Sequence, residues 1–204
     1  MLLASGNRIG WLDLPIRVQA AVQEIIGGEV VSAHSQSGGF SPGTADRVVT
    51  SNGRRAFVKA VSPAQNERSV TLARREAAVA AALPAHAPAP RLLGSYDDRD
   101  WVALIFEDTE GRHPRTPWVD LELDATVTAL RELALALTPS PLAGVPTAAE
   151  HLRSDFAGWH KVAADPPPDL DPWAAAHLTE LRAAADRALA AVGTGHTLVH
   201  CDIR

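Results

Sequence analysis

Hydrophobic and polar residues alternate in short runs through the first half of the chain. Five apolar runs are visible, at residues 30–31, 47–50, 56–61, 91–96 and 101–106. Their short length and their content of β-branched and aromatic residues are typical of β-strands. Asn52 and Gly53 separate the second run from the third, and this dipeptide favours a two-residue hairpin turn. We therefore predict five strands before residue 108, preceded by a short helix over residues 15–26.

Helical spacing begins between the third and fourth predicted strands. Leu72, Val79 and Leu83 recur with the period of one helix face, and Pro84 cannot continue the helix. This pattern predicts a helix over residues 66–83 whose apolar stripe faces the sheet.

The second half of the chain has helical patterning. The first of three predicted helices carries an apolar face of Leu123, Val127, Leu130 and Leu137. The second begins at a capping box formed by Thr147 and Glu150. The third is a single helix that starts after Asp171, with Pro172 at its first position, and ends at Gly193.

Together these elements predict an α+β fold with two lobes. Residues 1–27 form an N-terminal helical segment, and residues 28–108 form a β-rich lobe with five antiparallel strands and one helix. Residues 109–204 form a helical lobe.

Composition and charge narrow the classes of function. The 204 residues carry a formal net charge of −5, whereas nucleic-acid-binding surfaces are usually basic. The single cysteine, Cys201, cannot form an intrachain disulfide, which fits a reducing compartment. No run approaches the ~20 apolar residues of a membrane span, and the first residues lack the pattern of a signal peptide. We expect a soluble, cytoplasmic protein that binds neither nucleic acid nor membrane.

Two charged residues lie where inward-facing side chains are expected. Strand alternation places Lys59 on the same face as Phe57 and Val61, and Glu76 falls on the apolar stripe of the following helix. Burying an unpaired charge is costly, so the two could satisfy each other, and a lysine held in this way can bind the phosphates of a nucleotide. Alternatively, Lys59 lies on an edge strand with a solvated tip, and Glu76 pairs with Arg74 or Arg75 or is simply solvated.

A glycine-containing connection joins the first two predicted strands. It contains Ser37, Gly38, Gly39 and Phe40, and its glycines would let backbone N–H groups approach phosphate oxygens. Most such connections are only turns. The connection is not a P-loop, because no Gly-Lys-Ser/Thr follows and the next element is a strand.

The end of the sequence contains three potential metal ligands, His196, His200 and Cys201. The extended pattern between them separates their side chains, and no fourth ligand is near, which disfavours a zinc site. A second interpretation is a short strand leading to a loop that presents Asp202, with His200 holding the loop and Arg204 reaching towards phosphate. Asp202 would then accept the proton of a hydroxyl that attacks a phosphate. The plainer alternative is an ordinary polar tail.

The order of these features resembles the aminoglycoside phosphotransferase family. The glycine-containing loop is followed by Lys59 on a strand and Glu76 on a helix. Two further segments complete the order, Ile105-Phe106-Glu107-Asp108 at the end of a strand and Leu198-Val199-His200-Cys201-Asp202-Ile203-Arg204 after several helices. No single motif is decisive, whereas the ordered set, which covers the chain from about residue 28 onward, is fairly specific. The resemblance implies the protein-kinase-like fold.

The resemblance also implies ATP-dependent transfer of phosphate to a hydroxyl of a small molecule. By it, Lys59 holds the phosphates of the nucleotide, Glu76 is its helix partner, and Asp202 is the catalytic base assisted by His200 and Arg204. The loop Ser37, Gly38, Gly39 and Phe40 would cover the phosphates. The backbone of the inter-lobe hinge would hold adenine, at Phe106, Glu107 and Asp108.

One family feature falls outside the sequence. The family places a metal-binding Asn five residues after the catalytic base, which would be position 207, beyond Arg204. The expectation is that the Mg²⁺ ligands lie beyond Arg204 and that these residues are a C-terminally truncated, inactive portion of a kinase. The alternative is a non-catalytic pseudokinase or remnant that binds nucleotide weakly or not at all. The acceptor could be an aminoglycoside or another metabolite.

Overall fold

A computed structural model describes residues 8–36 and 42–201 of the chain. The chain divides into two compact units, Met1–Leu133 and Ala134–Arg204. The first unit contains a five-stranded sheet with helices packed on it, and the second is helical. The lobe boundaries expected at residues 27 and 108 stay predictions. Within the described part of the chain, no helix is both long enough and apolar enough to cross a bilayer.

Five strands form the sheet in the spatial order β1-β2-β3-β5-β4, and every neighbouring pair is antiparallel. Their bounds are β1 Val30–Ser35, β2 Thr44–Thr50, β3 Arg55–Val61, β4 Leu92–Asp97 and β5 Val102–Glu107. The five predicted strands are confirmed. The hairpin turn is longer than predicted, since the Thr50 amide donates to the Arg54 carbonyl and leaves three residues between them. Gly53, with a φ of 81°, supplies the left-handed position that such a turn requires.

The sheet separates two hydrophobic cores. On β3, Ala56, Val58 and Ala60 are at most 3% exposed and face the first helix, α1 (Ile16–Ile26). The α1 side also includes Val18, Val22, Ile26, Val48 and Ile105. Side chains that point the other way pack with the second helix, α2 (Pro63–Ala82). The α2 side includes Phe57, Val61, Val70, Val102, Leu104 and Phe106.

The helix α2 begins with a short turn and restarts at Asn66. Asn66 has an extended backbone, and its side-chain oxygen accepts a hydrogen bond from the Ser69 amide at 2.9 Å. This is N-cap geometry, so the main helix begins at the predicted residue. The predicted apolar stripe is wrong at Leu72, which is 47% exposed. The helix instead presents Val70, Ala73, Ala77 and Ala80 to the sheet, because small side chains allow close packing.

The described part of the chain after the sheet is helical. Its helices are α3 Asp120–Ala136, α4 Ala148–Phe156, α5 Gly158–Ala164, α6 Pro172–Ala176 and α7 Leu178–Val192. The predicted capping box is confirmed, because the Glu150 amide donates to the Thr147 hydroxyl at 3.2 Å and the Glu150 carboxylate accepts from the Thr147 amide at 2.8 Å.

The prediction of one continuous helix after Asp171 is wrong. The helix breaks at His177, whose φ of −112° and ψ of 14° end α6 before α7 starts. The His177 ring stacks on Trp173 with centroids 4.5 Å apart, and its Nδ1 lies 2.7 Å from the Trp173 carbonyl oxygen. The side chain thus contacts a backbone carbonyl in the first turn of α6, an interaction that helical periodicity does not reveal.

Candidate active site

Lys59 and Glu76 form an ion pair on the α2 side of the sheet. The Lys59 ammonium donates to both carboxylate oxygens of Glu76, at 2.8 and 2.6 Å. Arg74, an alternative partner on the same helix, instead pairs with Asp97 through hydrogen bonds of 2.7 and 3.0 Å. The pairing predicted from the sequence is therefore confirmed.

The position of this pair follows from the sheet register. Lys59 pairs with Ala45 on β2 and with Leu104 on β5, so it lies on a central strand rather than at an edge. The Lys59 and Glu76 side chains are 39% and 40% exposed. An ammonium has three N–H donors, and Glu76 accepts from two of them. One donor is left for an anionic ligand.

The end of β5 carries the predicted hinge. Phe106 is 8% exposed and packs in the core on the α2 side. The Glu107 carboxylate accepts from Arg91 at 2.8 Å, and this hydrogen bond holds the pKa of Glu107 below its ordinary value. The Glu107 amide donates to the Arg91 carbonyl at 2.9 Å. This hinge N–H is therefore engaged within the protein.

Asp108 lies between two arginines that the sequence pattern did not single out. Its carboxylate accepts from Arg47 Nε at 2.6 Å and pairs with Arg55 Nη2 at 2.6 Å, and its side chain is 5% exposed. Arg47 also donates to the Thr109 carbonyl at 3.0 Å. The hydrogen bond to Asp108 raises the pKa of Arg47. The sequence does contain a pattern that points to these arginines, because strand alternation places Arg47 and Arg55 on the face that carries Lys59.

The predicted phosphate-covering loop, residues 37–40, lies outside the described residues. Its C-terminal flank is fixed by Gly43, whose φ is 104°. A Cβ atom at this position would lie 2.2 Å from the Ala60 carbonyl oxygen, so only glycine fits. Two residues later Ala45 pairs with Lys59 in the sheet. The loop therefore joins β2 close to the lysine's own strand position.

The predicted catalytic end of the chain is described only as far as Cys201. His200 and Cys201 are exposed, and the Cys201 backbone is left-handed, with a φ of 60°. Asp202 and Arg204 lie outside the described residues. Their roles therefore rest on the family resemblance.

The segment that leads to this end is not the strand that we expected. The Leu198 amide donates to the Leu137 carbonyl at 3.1 Å, and the Ser140 amide donates to the His196 carbonyl at 2.7 Å. These bonds hold an extended segment beside the residues that follow α3 without forming a β-ladder.

The acidic side chains that the structure describes at the site are not arranged to coordinate a metal ion. Within residues 8–36 and 42–201, no three His, Cys, Asp or Glu side chains are grouped to hold one. Glu76 pairs with Lys59 and Asp108 with two arginines, so neither carboxylate is available as a ligand. The described donor set therefore does not provide a Mg²⁺ site.

Comparisons with known proteins extend this description. A crystal structure of a putative fructosamine-3-kinase from Haemophilus somnus 129PT is similar to this chain, with a TM-score of 0.51 at 12% sequence identity. The match covers 87% of this chain and 62% of that kinase, so the chain spans less than two thirds of its length. Among curated proteins none matches the sequence. The sheet and its helices thus have a kinase-like α+β fold, and the chain, matched over residues 18–204, belongs to the phosphotransferase enzyme family.

Proposed function

We propose that the protein binds ATP for transfer of its terminal phosphate to a hydroxyl of a small molecule. The Lys59–Glu76 ion pair carries this proposal. It fixes an accessible ammonium on one face of the sheet and leaves one N–H donor for a phosphate oxygen. Membership of the phosphotransferase family supplies the class of reaction.

Each group near the sheet has a separate task in this proposal. Lys59 binds the phosphates of ATP, and Glu76 orients the lysine. The glycine-containing loop at residues 37–40 covers the phosphates with its backbone N–H groups. Backbone groups at residues 106–108 receive the adenine, with the exception of the Glu107 amide, which already donates to the Arg91 carbonyl.

The end of the sequence supplies the groups for transfer. Asp202 accepts the proton of the attacking hydroxyl, His200 holds the loop in place, and Arg204 neutralises charge on the phosphate. Bound Mg²⁺ would supply further neutralisation of the phosphate charge.

The acceptor in this proposal is a small polar molecule with a hydroxyl. Aminoglycosides and other metabolites belong to this class, and a fructosamine is a further compound to test, since the similar crystal structure carries that name.

Replacement of Lys59 by methionine tests the proposal. Lys59→Met removes the ammonium but keeps most of the side-chain volume. A hydrogen bond to a charged group contributes about 1.5–3 kcal/mol, so the affinity for ATP should fall about 10- to 100-fold. The affinity for adenosine, which has no phosphate, should not change. Isothermal titration calorimetry with both ligands measures the two affinities.

Arg74→Met is the matched control for this experiment. It breaks a neighbouring ion pair of the same helix, with Asp97, in which both side chains are similarly exposed. The control should bind ATP like the wild type. Wild-type protein that fails to bind ATP, or a Lys59→Met variant with unchanged ATP affinity, would contradict the proposed function.

A further inference from the structure

We propose that Arg47 forms a flat surface on which the purine base of the nucleotide stacks, and that Asp108 positions it. This inference rests on the proposed function and names a specificity-determining residue of the same site. It follows from the register of the sheet, the path of the Arg47 side chain and the pairing of its charge.

The sheet register places Arg47 next to the phosphate-binding position. Arg47 pairs with Phe57, and Lys59 pairs with Ala45, so the two cationic residues are two positions apart along neighbouring strands. Both lie on the α2 side of the sheet. Two residues of a strand span about 7 Å. From Lys59, the position of Arg47 is shifted along the strands towards the level of Asp108, the last residue of the predicted hinge.

The Arg47 side chain crosses the sheet to reach its partner. It starts on β2 and contacts Asp108, which follows β5, and β3 lies between these two strands. Neighbouring strands are about 4.8 Å apart, so the Arg47 and Asp108 side chains together bridge about 10 Å across β3. The guanidinium therefore lies along the face of the sheet between the phosphate-binding lysine and the hinge.

Hydrogen bonds fix the plane of this guanidinium. Arg47 Nε and Nη2 donate to the two carboxylate oxygens of Asp108 at 2.6 and 3.1 Å. This bidentate geometry holds the guanidinium and the carboxylate in one plane. Nη2 donates in addition to the Thr109 carbonyl at 3.0 Å. The orientation of Arg47 is therefore set before any ligand arrives.

The paired charge indicates what kind of ligand this surface accepts. Asp108 and Glu110 offset the charges of Arg47 and Arg55, so the cluster is not an excess of positive charge for a phosphate. Arg47 is still 31% exposed. A guanidinium is planar and weakly hydrated, and it stacks on aromatic faces. A flat base fits such a surface better than an anion does.

Three variants and three ligands test this assignment in the 204-residue chain. Arg47→Met removes the planar cation, and Arg47→Lys keeps the positive charge but not the planar guanidinium. Asp108→Asn weakens the paired hydrogen bonds that fix the orientation of the guanidinium. All three should bind adenosine more weakly, Arg47→Met by about 3- to 30-fold. Their affinity for inorganic tripolyphosphate should match the wild type, and their ATP affinity should fall with that for adenosine. Calorimetric titration with each ligand gives these values.

Arg91→Met is the matched control. Arg91 pairs with Glu107, the residue before Asp108, and it is exposed, so its loss removes an arginine–carboxylate pair at the same strand end. This variant should bind adenosine like the wild type, and thermal melting of every variant verifies that it is folded.

Several outcomes would overturn the inference. Unchanged adenosine affinity in Arg47→Met would show that the base does not stack there, and increased affinity would show that Arg47 blocks the base. A selective loss of tripolyphosphate binding would make Arg47 an anion site. If Arg47→Lys binds adenosine like the wild type, the planar shape of the guanidinium does not contribute to binding of the base. Wild-type protein that binds no ATP would instead overturn the proposed function, and the inference with it.

Discussion

Asp46 shows how one side chain can join the ends of two strands. It is 1% exposed, and its carboxyl accepts hydrogen bonds from the hydroxyls of Ser35 on β1 and Thr44 on β2. These residues flank the connection between the two strands. Burial of a polar group is costly without hydrogen bonds, so the two hydroxyls offset the cost of burying this carboxyl.

Removal of the Asp46 carboxyl should destabilise the protein. In Asp46→Ala the buried Thr44 hydroxyl has no acceptor, which should lower the free energy of unfolding by about 1–3 kcal/mol. Asp46→Asn should cost less, because an amide oxygen still accepts. Urea unfolding measures both, with Ser32→Ala on the neighbouring strand β1 as a control. An Asp46→Ala variant as stable as the wild type would show that burial of the carboxyl costs as much as its hydrogen bonds contribute.

Contacts between side chains could be predicted from the sequence where the periodicity of a single strand or helix was sufficient to place each residue. Lys59 and Glu76 each lie on the inward face of a single element, and their opposite charges indicate a pair. The Arg47–Asp108 contact depends on three strands and on the order β2-β3-β5, in which the strands are not consecutive along the chain. Strand alternation alone does not contain that order. The cluster therefore became visible only in the folded chain.

At the scale of elements, α1 is tied to the turn between β4 and β5 through Asp98. The Asp98 carboxylate accepts from Arg17 Nε on α1 at 2.7 Å, from the Tyr96 hydroxyl at 2.9 Å and from the Trp101 amide at 2.7 Å. Burial raises the pKa of Asp98, but these hydrogen bonds outweigh burial and hold the pKa at about 2. The charged carboxylate therefore stabilises the contact between the helix and the turn.

This contact predicts a pH dependence of stability. A carboxyl with a lowered native pKa contributes its full stabilisation above its unfolded-state pKa, here 3.8, and loses it as the pH falls to the native value of about 2. The stability difference between wild type and Asp98→Asn should therefore be largest near neutral pH and shrink between about pH 4 and pH 2. Urea unfolding at several pH values measures it.

A neighbouring carboxylate provides the control for this pH experiment. Asp100 is 81% exposed and lies 3.6 Å from Arg17, so Asp100→Asn should show little pH-dependent difference. A difference for Asp98→Asn that is constant over the same pH range would contradict the assigned hydrogen bonds.

Element-level prediction was limited by side chains that act locally. All five strands and the start of α2 followed from periodicity and turn residues. The break at His177 did not, because it depends on the contact of one ring with Trp173. The inward face of α2 was misassigned because large apolar residues outweigh alanine in a pattern, whereas alanine packs more closely on a sheet.

On the scale of the whole molecule, exposed apolar side chains are concentrated around α3. The exposed fractions are 49% for Trp118, 79% for Leu121, 40% for Leu123 and 55% for Val127. Leu123 and Val127 are one turn apart and were predicted to face a core. A sizeable exposed apolar patch is typical of an interaction surface or of an association-prone one.

We expect the 204-residue chain to self-associate through this surface. The double variant Leu123→Gln, Val127→Gln replaces two neighbouring apolar side chains and should shift the protein towards monomer. Leu12→Gln, at a residue that is 86% exposed outside α3, should leave association unchanged. Sedimentation velocity at increasing concentration measures the distribution. A wild type that stays monomeric at every concentration would refute this expectation.

The two cores on opposite sides of the sheet have a consequence for how the site can evolve. Lys59, Phe57 and Arg47 share one face of the strands, while the tightly packed Ala56, Val58 and Ala60 share the other. Effects of substitutions that share no contacts are close to additive. Changes on the face that carries Lys59 can therefore accumulate with little loss of the packing against α1. The sheet gives natural variation and protein engineering a surface on which the proposed nucleotide preference can change while the opposite core keeps the domain folded.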